Sequence, residues 1–417
     1  MEQSLTAREA ALRILAEVQR QPALRIPLDE ALGHVLAHDV RSPLDIPAHT
    51  NSAMDGYACR AQDVRGAGTA HPVRLKVVEQ LPAGAFPTRR IGPHECARIF
   101  TGAALPAGAD GVIRQEDTDL GAEVVTIHRD RDAGANFRRA GEDLARGALA
   151  LPAGSLLGPA ELGVLASLAV SAPMVVRRPR VGILGSGDEI VDVDRPEEIL
   201  SGRKVASSNT HTLVALVKLA GGEPVNLGIA ADNADSMREH FERASDCDLL
   251  VTSAGISVGE HDFVKPVLEA LGAEIRFWKL RMRPGAPVGF GVLRGIPWVG
   301  LPGNPVSTMV TFELFVRPAI RKMAGHALPF RRSVPVRVAE KFTLGPKLQH
   351  FLRGVVTEGP NGAEVRLTGP QGSGILTSMV KANALLVIPE GQHETPAGAV
   401  VQALPLHQPL HQEGPGF

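Results

Sequence analysis

Aromatic side chains are scarce: one tyrosine, two tryptophans and 13 phenylalanines make up 4% of 417 residues. Any core must therefore be assembled from Leu, Val, Ile and Ala, which the 44% hydrophobic content supplies. Cysteine is scarcer still. Cys59, Cys96 and Cys247 lie far apart and form no C-x-x-C pair, which argues against a disulfide framework or a thiolate zinc site and for reduced thiols in a cytoplasm. No sign of charge dominates, because 44 Lys plus Arg offset 45 Asp plus Glu to leave a net charge of −1. Nothing global favours nucleic acid or an anionic membrane, so a charged ligand must be met locally. Long apolar runs are also missing. The uncharged stretch Leu162–Val176 is too short to span a bilayer and contains Pro173. Charges throughout Thr6–Arg20 exclude a signal peptide. The expectation is a soluble protein with no nucleic-acid or membrane partner.

Glycine and proline are plentiful, at 44 and 32 residues, which implies many turns and short elements. At about 150 residues per domain the length suggests about three domains. Thr6-Ala7-Arg8-Glu9 has capping-box spacing and predicts a helix to about Arg20. A second short helix is expected over Leu28–Leu36, and a third from Pro159 to about Val170. Residues 45–144 read as a β-rich domain, with strands such as Val73–Val78 and Val124–His128. The expected arrangement has residues 1–44 packing with 145–178, the β-rich domain being inserted between them. From 179 to 326 strands and helices alternate. Val181–Leu184, Val225–Ile229, Asp248–Thr252, Glu274–Lys279, Val288–Leu293 and Pro297–Gly300 read as strands; Ser208–Ala220, Asn233–Ser245, a segment after Asp262 and Val306–Met323 read as helices, the last kinked by Pro318. Such alternation implies a mainly parallel sheet covered on both faces. Residues 327–417 return to short strands and predict a small β-barrel or sandwich. The fold class is thus a multi-domain α/β plus β protein.

In an open parallel sheet, ligands bind outside the carboxyl ends of the strands. Three segments end there with small and polar residues: Gly185-Ser186-Gly187-Asp188-Glu189, Ser253-Ala254-Gly255-Ile256-Ser257-Val258-Gly259-Glu260-His261-Asp262, and Leu301-Pro302-Gly303-Asn304-Pro305-Val306-Ser307. Small residues let backbone N–H groups approach an anion, and helix N-termini add partial positive charge. Each loop alone reads equally as an ordinary βα turn; three at one edge favour a phosphate or nucleotide site. Neither the third glycine of a dinucleotide motif nor a G-x-x-x-x-G-K-[ST] loop is present, which disfavours a standard dehydrogenase or P-loop NTPase. Lys279, Arg281 and Arg283 fall on one face if their segment is extended, where they form either an anion site or a solvated edge. Arg138-Arg139 precedes Gly141-Glu142-Asp143. The acids Asp55, Asp143, Asp188, Glu189, Asp232 and Asp262 recur beside loops, and Asp232 and Asp262 also read as helix caps. Carboxylates beside a phosphate call for a divalent cation between them, and hard oxygen ligands suggest Mg²⁺. His34 and His38 have no glutamate between them and form no zinc-protease motif, and no G-x-S-x-G elbow exists.

Several strings together resemble one family, the molybdopterin molybdenumtransferases (the MoeA proteins and the related E domain of gephyrin). They are Asn51-Ser52-Ala53-Met54-Asp55-Gly56-Tyr57-Ala58, Thr101-Gly102-Ala103, Asn136-Phe137-Arg138-Arg139-Ala140-Gly141-Glu142-Asp143, Ser186-Gly187-Asp188-Glu189, Ser257–Asp262, Phe277-Trp278-Lys279, Arg283-Pro284-Gly285, Gly300–Ser307 and Gly372–Met379. They cover nearly the whole chain in order. The resemblance implies four domains, with residues 179–326 forming a MogA-like molybdopterin-binding α/β domain and 327–417 a C-terminal β-barrel. It also implies a homodimer in which one subunit's β-rich domain covers the partner's α/β site. The implied reaction takes adenylylated molybdopterin and molybdate and releases AMP, with Mg²⁺ as the metal and other molybdenum cofactor pathway proteins as further partners.

Carried over by motif, Asp55, Thr101, Arg138, Asp143, Glu189, Asp262, Lys279 and Arg283 are the expected catalytic residues. Gly185, Ser186, Gly187, Ser253, Gly255, Ser257, Gly259, Pro302, Gly303, Asn304, Pro305 and Ser378 are expected to hold the molybdopterin nucleotide, and Glu189 and Asp232 the metal. Three positions depart from the family pattern. Arg283 stands where lysine is common, Ala286 where the second lysine of P-G-K-P is common, and Ala254 where a second glycine is usual. Two alternatives share the α/β domain: adenylylation of molybdopterin, which usually needs little more than that domain, and a non-catalytic scaffold, which has no need of the acids retained here.

Overall fold

A computed structural model describes residues 4–256, 264–359 and 362–406. The chain divides into two compact units, one formed by residues 38–153 with 159–171 and the other by 1–37, 154–158 and 172–417.

The smaller unit is built on a five-stranded sheet in the order Gly111–Arg114, Gly56–Cys59, Glu95–Ile99, Val73–Leu81, Val124–Ile127. Alternation along each strand gives it two apolar faces. Tyr57, Cys59, Leu75, Cys96, Ile113 and Val125 pack on one face, and Ala58, Leu81, Ala97, Ile99 and Val112 on the other. The strands Asn51–Ser52 and Phe137–Arg138 pair antiparallel beside it. The helix Pro159–Ser167 belongs to this unit.

The larger unit contains a six-stranded sheet in the order Glu223–Ala230, Arg180–Ser186, Leu249–Ser253, Ile296–Leu301, Gly289–Leu293, Glu274–Phe277. The first four strands are parallel and the last two antiparallel. Odd-numbered Val181, Ile183, Leu249, Val251 and Val299 face a core made with the helices Ser208–Ala220 and Pro305–Thr311 and the first helix, Ala7–Glu17. Even-numbered Leu184, Leu250 and Trp298 face the opposite core, made with Ala234–Glu242 and Val264–Ala270. This is the two-sided α/β layer expected from the alternation of elements. Residues 334–405 close into a five-stranded barrel. Gln349–Gly359 pairs with both Gly362–Leu367 and Ala384–Ile388, and Val334–Val338 and Val400–Pro405 complete the ring. Val336, Val338, Leu386, Ile388, Val401 and Ala403 fill it at the two-residue period of a strand.

Thr6 caps the first helix as its spacing predicted: its hydroxyl accepts from Glu9 N (3.2 Å) while Glu9 accepts from Thr6 N (2.8 Å). Of the segments 1–44 and 145–178, Ala23–Arg25 and Met174–Val176 pair antiparallel, while the first helix packs on the α/β core. Two expectations are corrected. The helix over Leu28–Leu36 is only a 3₁₀ turn at Leu28–Glu30, because Gly33 takes φ +74° and the following backbone bonds to Leu157 and Ser155. The helix over Val306–Met323 is interrupted by a π turn at Phe312–Val316, which places Pro318 in the first turn of Arg317–Met323, where its missing N–H breaks no bond. The strand pair Ile190–Val191 and Val205–Ala206, parallel and outside the main sheet, was not foreseen. Among the described residues, no helix is long and apolar enough to cross a membrane.

Ile14 is fully buried where the first helix meets the α/β core. Ile14→Ala is expected to lower unfolding free energy by about 2–5 kcal/mol in urea titrations. Leu219→Ala, on the exposed side of Ser208–Ala220, should change it by about 0.5 kcal/mol or less.

Candidate functional site

The carboxyl ends of Arg180–Ser186, Leu249–Ser253 and Ile296–Leu301 open onto one cavity of about 640 Å³. Its wall holds Gly185, Ser186 and Glu189 from the first loop, Ser253, Ala254 and Gly255 from the second, and Pro302, Gly303, Asn304 and Pro305 from the third. These residues come from three separate stretches spread between positions 185 and 305, and the parallel sheet places them together. Gly187 lies just behind the wall at φ +132°, where a Cβ would sit 2.8 Å from a Glu189 carboxylate oxygen, so only glycine leaves the carboxylate its place. Gly255 takes φ +68°, and a Cβ there would lie 2.4 Å from Val264 Cγ2. Ala254, beside it, takes φ +78° with a side chain that disfavours this region.

Sequence reasoning missed one side of the wall. The pair Ile190–Val191 and Val205–Ala206 leads the chain back so that Ser207, Ser208, Asn209 and Thr210 line the cavity at the start of a 13-residue helix. Asn209 Nδ2 donates to Ser253 Oγ (2.8 Å) and to Gly303 O (2.7 Å), tying this helix start to two strand ends. The signal was legible, since Ser-Ser-Asn-Thr at a helix start is a run of capping residues. Pro287 and Gly374 complete the wall.

The acids beside the cavity form a small constellation. Asp188 N donates to Asp232 Oδ2 (3.3 Å) and Asp232 N to Asp188 Oδ1 (3.0 Å). Lys204 Nζ donates to the backbone oxygen of Asp188 (2.6 Å), not to its carboxylate. Neither these two carboxylates nor Glu189 forms an ion pair among the described residues. Asp232 does not cap the helix that follows it; Asn233 does, accepting from Ser236 N at 2.9 Å.

Other expected residues lie elsewhere. Lys279 and Arg283 are exposed and absent from the cavity wall. They alternate with buried Leu280 and Met282, as an extended segment requires. Lys279 lines a separate cavity of about 540 Å³ with Glu9, Arg13, Trp278 and Arg281. Ser378 is buried; its hydroxyl accepts from Arg353 Nε (3.0 Å) and donates to Ile375 O (2.6 Å). Arg353, also missed from sequence, is fully buried and donates further to the carbonyls of Gln371, Gly372 and Pro370. It thereby holds the loop that carries Gly374 to the cavity. Ser257, Gly259 and Asp262 lie outside the described residues.

Within the smaller unit, two motif residues meet directly. Asp55 Oδ1 accepts from Thr101 N and from Thr101 Oγ1, both at 2.8 Å. The Thr101 amide, then its hydroxyl, hold the Asp55 carboxyl below the usual carboxylate range. Arg138 is exposed and paired in register with Asn51, at the head of the same motif. Exposed Asp143 follows, its N–H donating to Ile46 O (3.0 Å).

Two measurements test this geometry. Ala254→Gly removes the side chain from a left-handed backbone and is expected to raise unfolding free energy by about 1 kcal/mol. The folded-state pKa of Asp55 is depressed, so its bond to Thr101 is present above the ordinary carboxylate pKa and is lost as pH falls through the lowered value. The Thr101 amide resonance should therefore titrate with a midpoint below 3.8, and this transition should vanish in Asp55→Asn.

Comparison with known proteins agrees with this layout. Residues 5–169 match the model of the MoeA N-terminal region (domain I and II), 182–322 that of a probable molybdopterin binding domain, and 335–406 that of the MoeA C-terminal region (domain IV). The chain is 36% identical over 400 residues to molybdopterin molybdenumtransferase 2 of Mycobacterium tuberculosis, covering 94% of this chain and 97% of the relative. It is 37% identical to the molybdopterin molybdenumtransferase of a Nostoc species, covering 91% and 88%. A crystal structure of a molybdopterin biosynthesis MoeA protein from Pyrococcus horikoshii superposes with a TM-score of 0.83 at 28% identity, covering 97% of this chain and all of the other. The three regions in their order, the shared architecture and the near full-length identity make this chain a member of the MoeA family of molybdopterin molybdenumtransferases.

Proposed function

We propose that this transferase performs the last step of molybdenum cofactor assembly: it takes adenylylated molybdopterin and molybdate, joins molybdenum to the dithiolene and releases AMP. The observation that carries this reading is the cavity at the sheet edge. It is walled by three small-residue loops and a helix start, and it has the dimensions of a nucleotide-sized ligand site. Backbone N–H groups at Ser186, Gly255 and the start of Ser208–Ala220 are suited to a phosphate. Glu189, without an ion-pair partner among the described residues, lines the same cavity.

Carboxylate oxygens suit Mg²⁺, which completes its shell with substrate phosphates and water; among the described residues no three His, Cys, Asp or Glu side chains converge to hold a metal by themselves, so substrate and water would supply most of the shell. Glu189 and Asp232 would hold it, and when bound it would neutralise phosphate charge as the anhydride breaks. In this reading the chain's own groups do the rest. The loops hold the adenylate, Asn209 and Arg353 fix the loops, and Lys279 and Arg283, exposed and outside this cavity's wall, are the cations proposed for molybdate. Asp55, Thr101, Arg138 and Asp143 reach a cavity through assembly, so the proposal includes a homodimer in which each subunit's β-rich unit completes its partner's site. A cytoplasmic setting suits three free cysteines.

Incubating the protein with adenylylated molybdopterin should release AMP only when molybdate is present. Addition of AMP from ATP to free molybdopterin would instead indicate the preceding adenylylation step, and inactivity in both assays a scaffold. Glu189→Ala and Asp55→Ala should each slow AMP release by about 10²-fold or more without loss of fold by circular dichroism.

A further inference from the structure

Asn209 lies in the first turn of Ser208–Ala220 and uses its amide nitrogen twice, toward Ser253 Oγ and toward Gly303 O. Gly303 O is an acceptor only, so the amide has a single orientation: nitrogen toward the loops. The consequence falls on Ser253. The residue is 3% exposed, and its hydroxyl accepts from Asn209 and so has its own proton left to donate. No acceptor for that proton exists among the described residues, although Ser253 lines the cavity. Buried hydroxyl protons ordinarily find acceptors, and the cavity that Ser253 lines is where a ligand would present one. Neighbouring Ser207 shows the contrast, since its hydroxyl is paired with Thr210 Oγ1 at 2.7 Å inside the protein.

We propose that Asn209 is a positioning residue that turns the Ser253 hydroxyl into a dedicated donor for an anionic oxygen of the bound nucleotide, its phosphate rather than its base or sugar. This rests on reading the cavity as the adenylate site, and it adds to that reading which residue faces the phosphate and what orients it. Asn209→Asp reverses the arrangement. A carboxylate only accepts, so Ser253 would donate to residue 209 and turn its proton away from the cavity.

The test is calorimetric titration of the full-length protein with AMP and with adenosine, which lacks the phosphate. Ser253→Ala and Asn209→Asp are each expected to weaken AMP binding by about ten- to a hundredfold, while adenosine affinity stays within about twofold. The double variant should bind AMP no more weakly than Asn209→Asp alone, because both changes delete one donor. Losses that add in the double variant would show that the new carboxylate merely repels phosphate, and would overturn the proposal. Equal losses for adenosine, or AMP affinity unchanged in either variant, would overturn it as well. If Asn209→Asp melts at low temperature, Asn209→Ala takes its place in the cycle with the same expectation of non-additivity. A wild-type protein that binds neither AMP nor adenylylated molybdopterin would remove the adenylate reading and this inference together, whereas binding unaffected by the variants removes the inference alone.

Discussion

The carboxyl edge of the parallel sheet is where this fold must satisfy polar groups that its strands no longer pair. The ladder between Leu249–Ser253 and Ile296–Leu301 ends with Ala254 N donating to Leu301 O, at 3.1 Å. Beyond that point the backbone turns sharply, and each turn needs small residues, a positive φ or a side-chain amide to close it. Asn209 is the amide, bridging segments that are 44 and 94 residues away. Below this layer Trp298, fully buried, donates from Nε1 to Thr252 Oγ1 at 3.1 Å and stacks on Trp278. Its ring leaves no space for a Cβ at Gly289 or Gly300, where one would lie within 2.6 Å and 2.5 Å of ring atoms. In a chain so poor in aromatics, one indole fixes the spacing of three strands and so sets where their ends emerge.

The scaffold was legible because each element carried its own period. Odd and even positions of Val181–Leu184 segregate onto the two cores, and Ser208–Ala220 ends at Gly221 with φ +94°, as a glycine stop implies. The three loops were legible as a site for the same reason: once the strands are placed, their carboxyl ends must share an edge. What stayed hidden depended on tertiary position. Gly33 was read as compatible with a helix, yet the backbone there bonds to residues 155 and 157 instead. Arg353 looks like any strand arginine, and nothing local announces that a loop near residue 371 folds over it. Lys279 and Arg283 were placed on the correct face of their segment, but a face does not say which cavity it borders.

The smaller unit shows a related economy. The Asn51–Ala58 motif does not form one long strand; Asn51–Ser52 and Gly56–Cys59 belong to different sheets. The break between them presents Asp55, and Thr101 from another loop meets its carboxylate with two donors. Gly56 permits this, since a Cβ there would strike Ile113 O at 2.0 Å. A carboxylate held this firmly stays ionised at any physiological pH. It is thus a fixed negative charge at a surface, prepared before any ligand or second subunit approaches.

A contrast in how charges are accommodated separates structure from function here. Arg353 lies in the protein interior without a carboxylate partner, yet it has four acceptors, three of them backbone carbonyls, and burial lowers its pKa. Arg177 forks onto Asp248, and Arg114 onto Asp132, each at 2.7 Å on its shorter arm. These groups are satisfied and have no capacity left for a ligand. Asp188, Glu189 and Asp232 are the reverse case: Glu189 lines the cavity, Asp188 and Asp232 accept from each other's backbone, and among the described residues none of the three pairs with a cation. Side chains left without a counter-charge beside small-residue loops keep capacity for a ligand, which the satisfied arginines lack. The near-neutral composition of the whole chain conceals this contrast, which becomes visible only once the fold assigns each charge its partners.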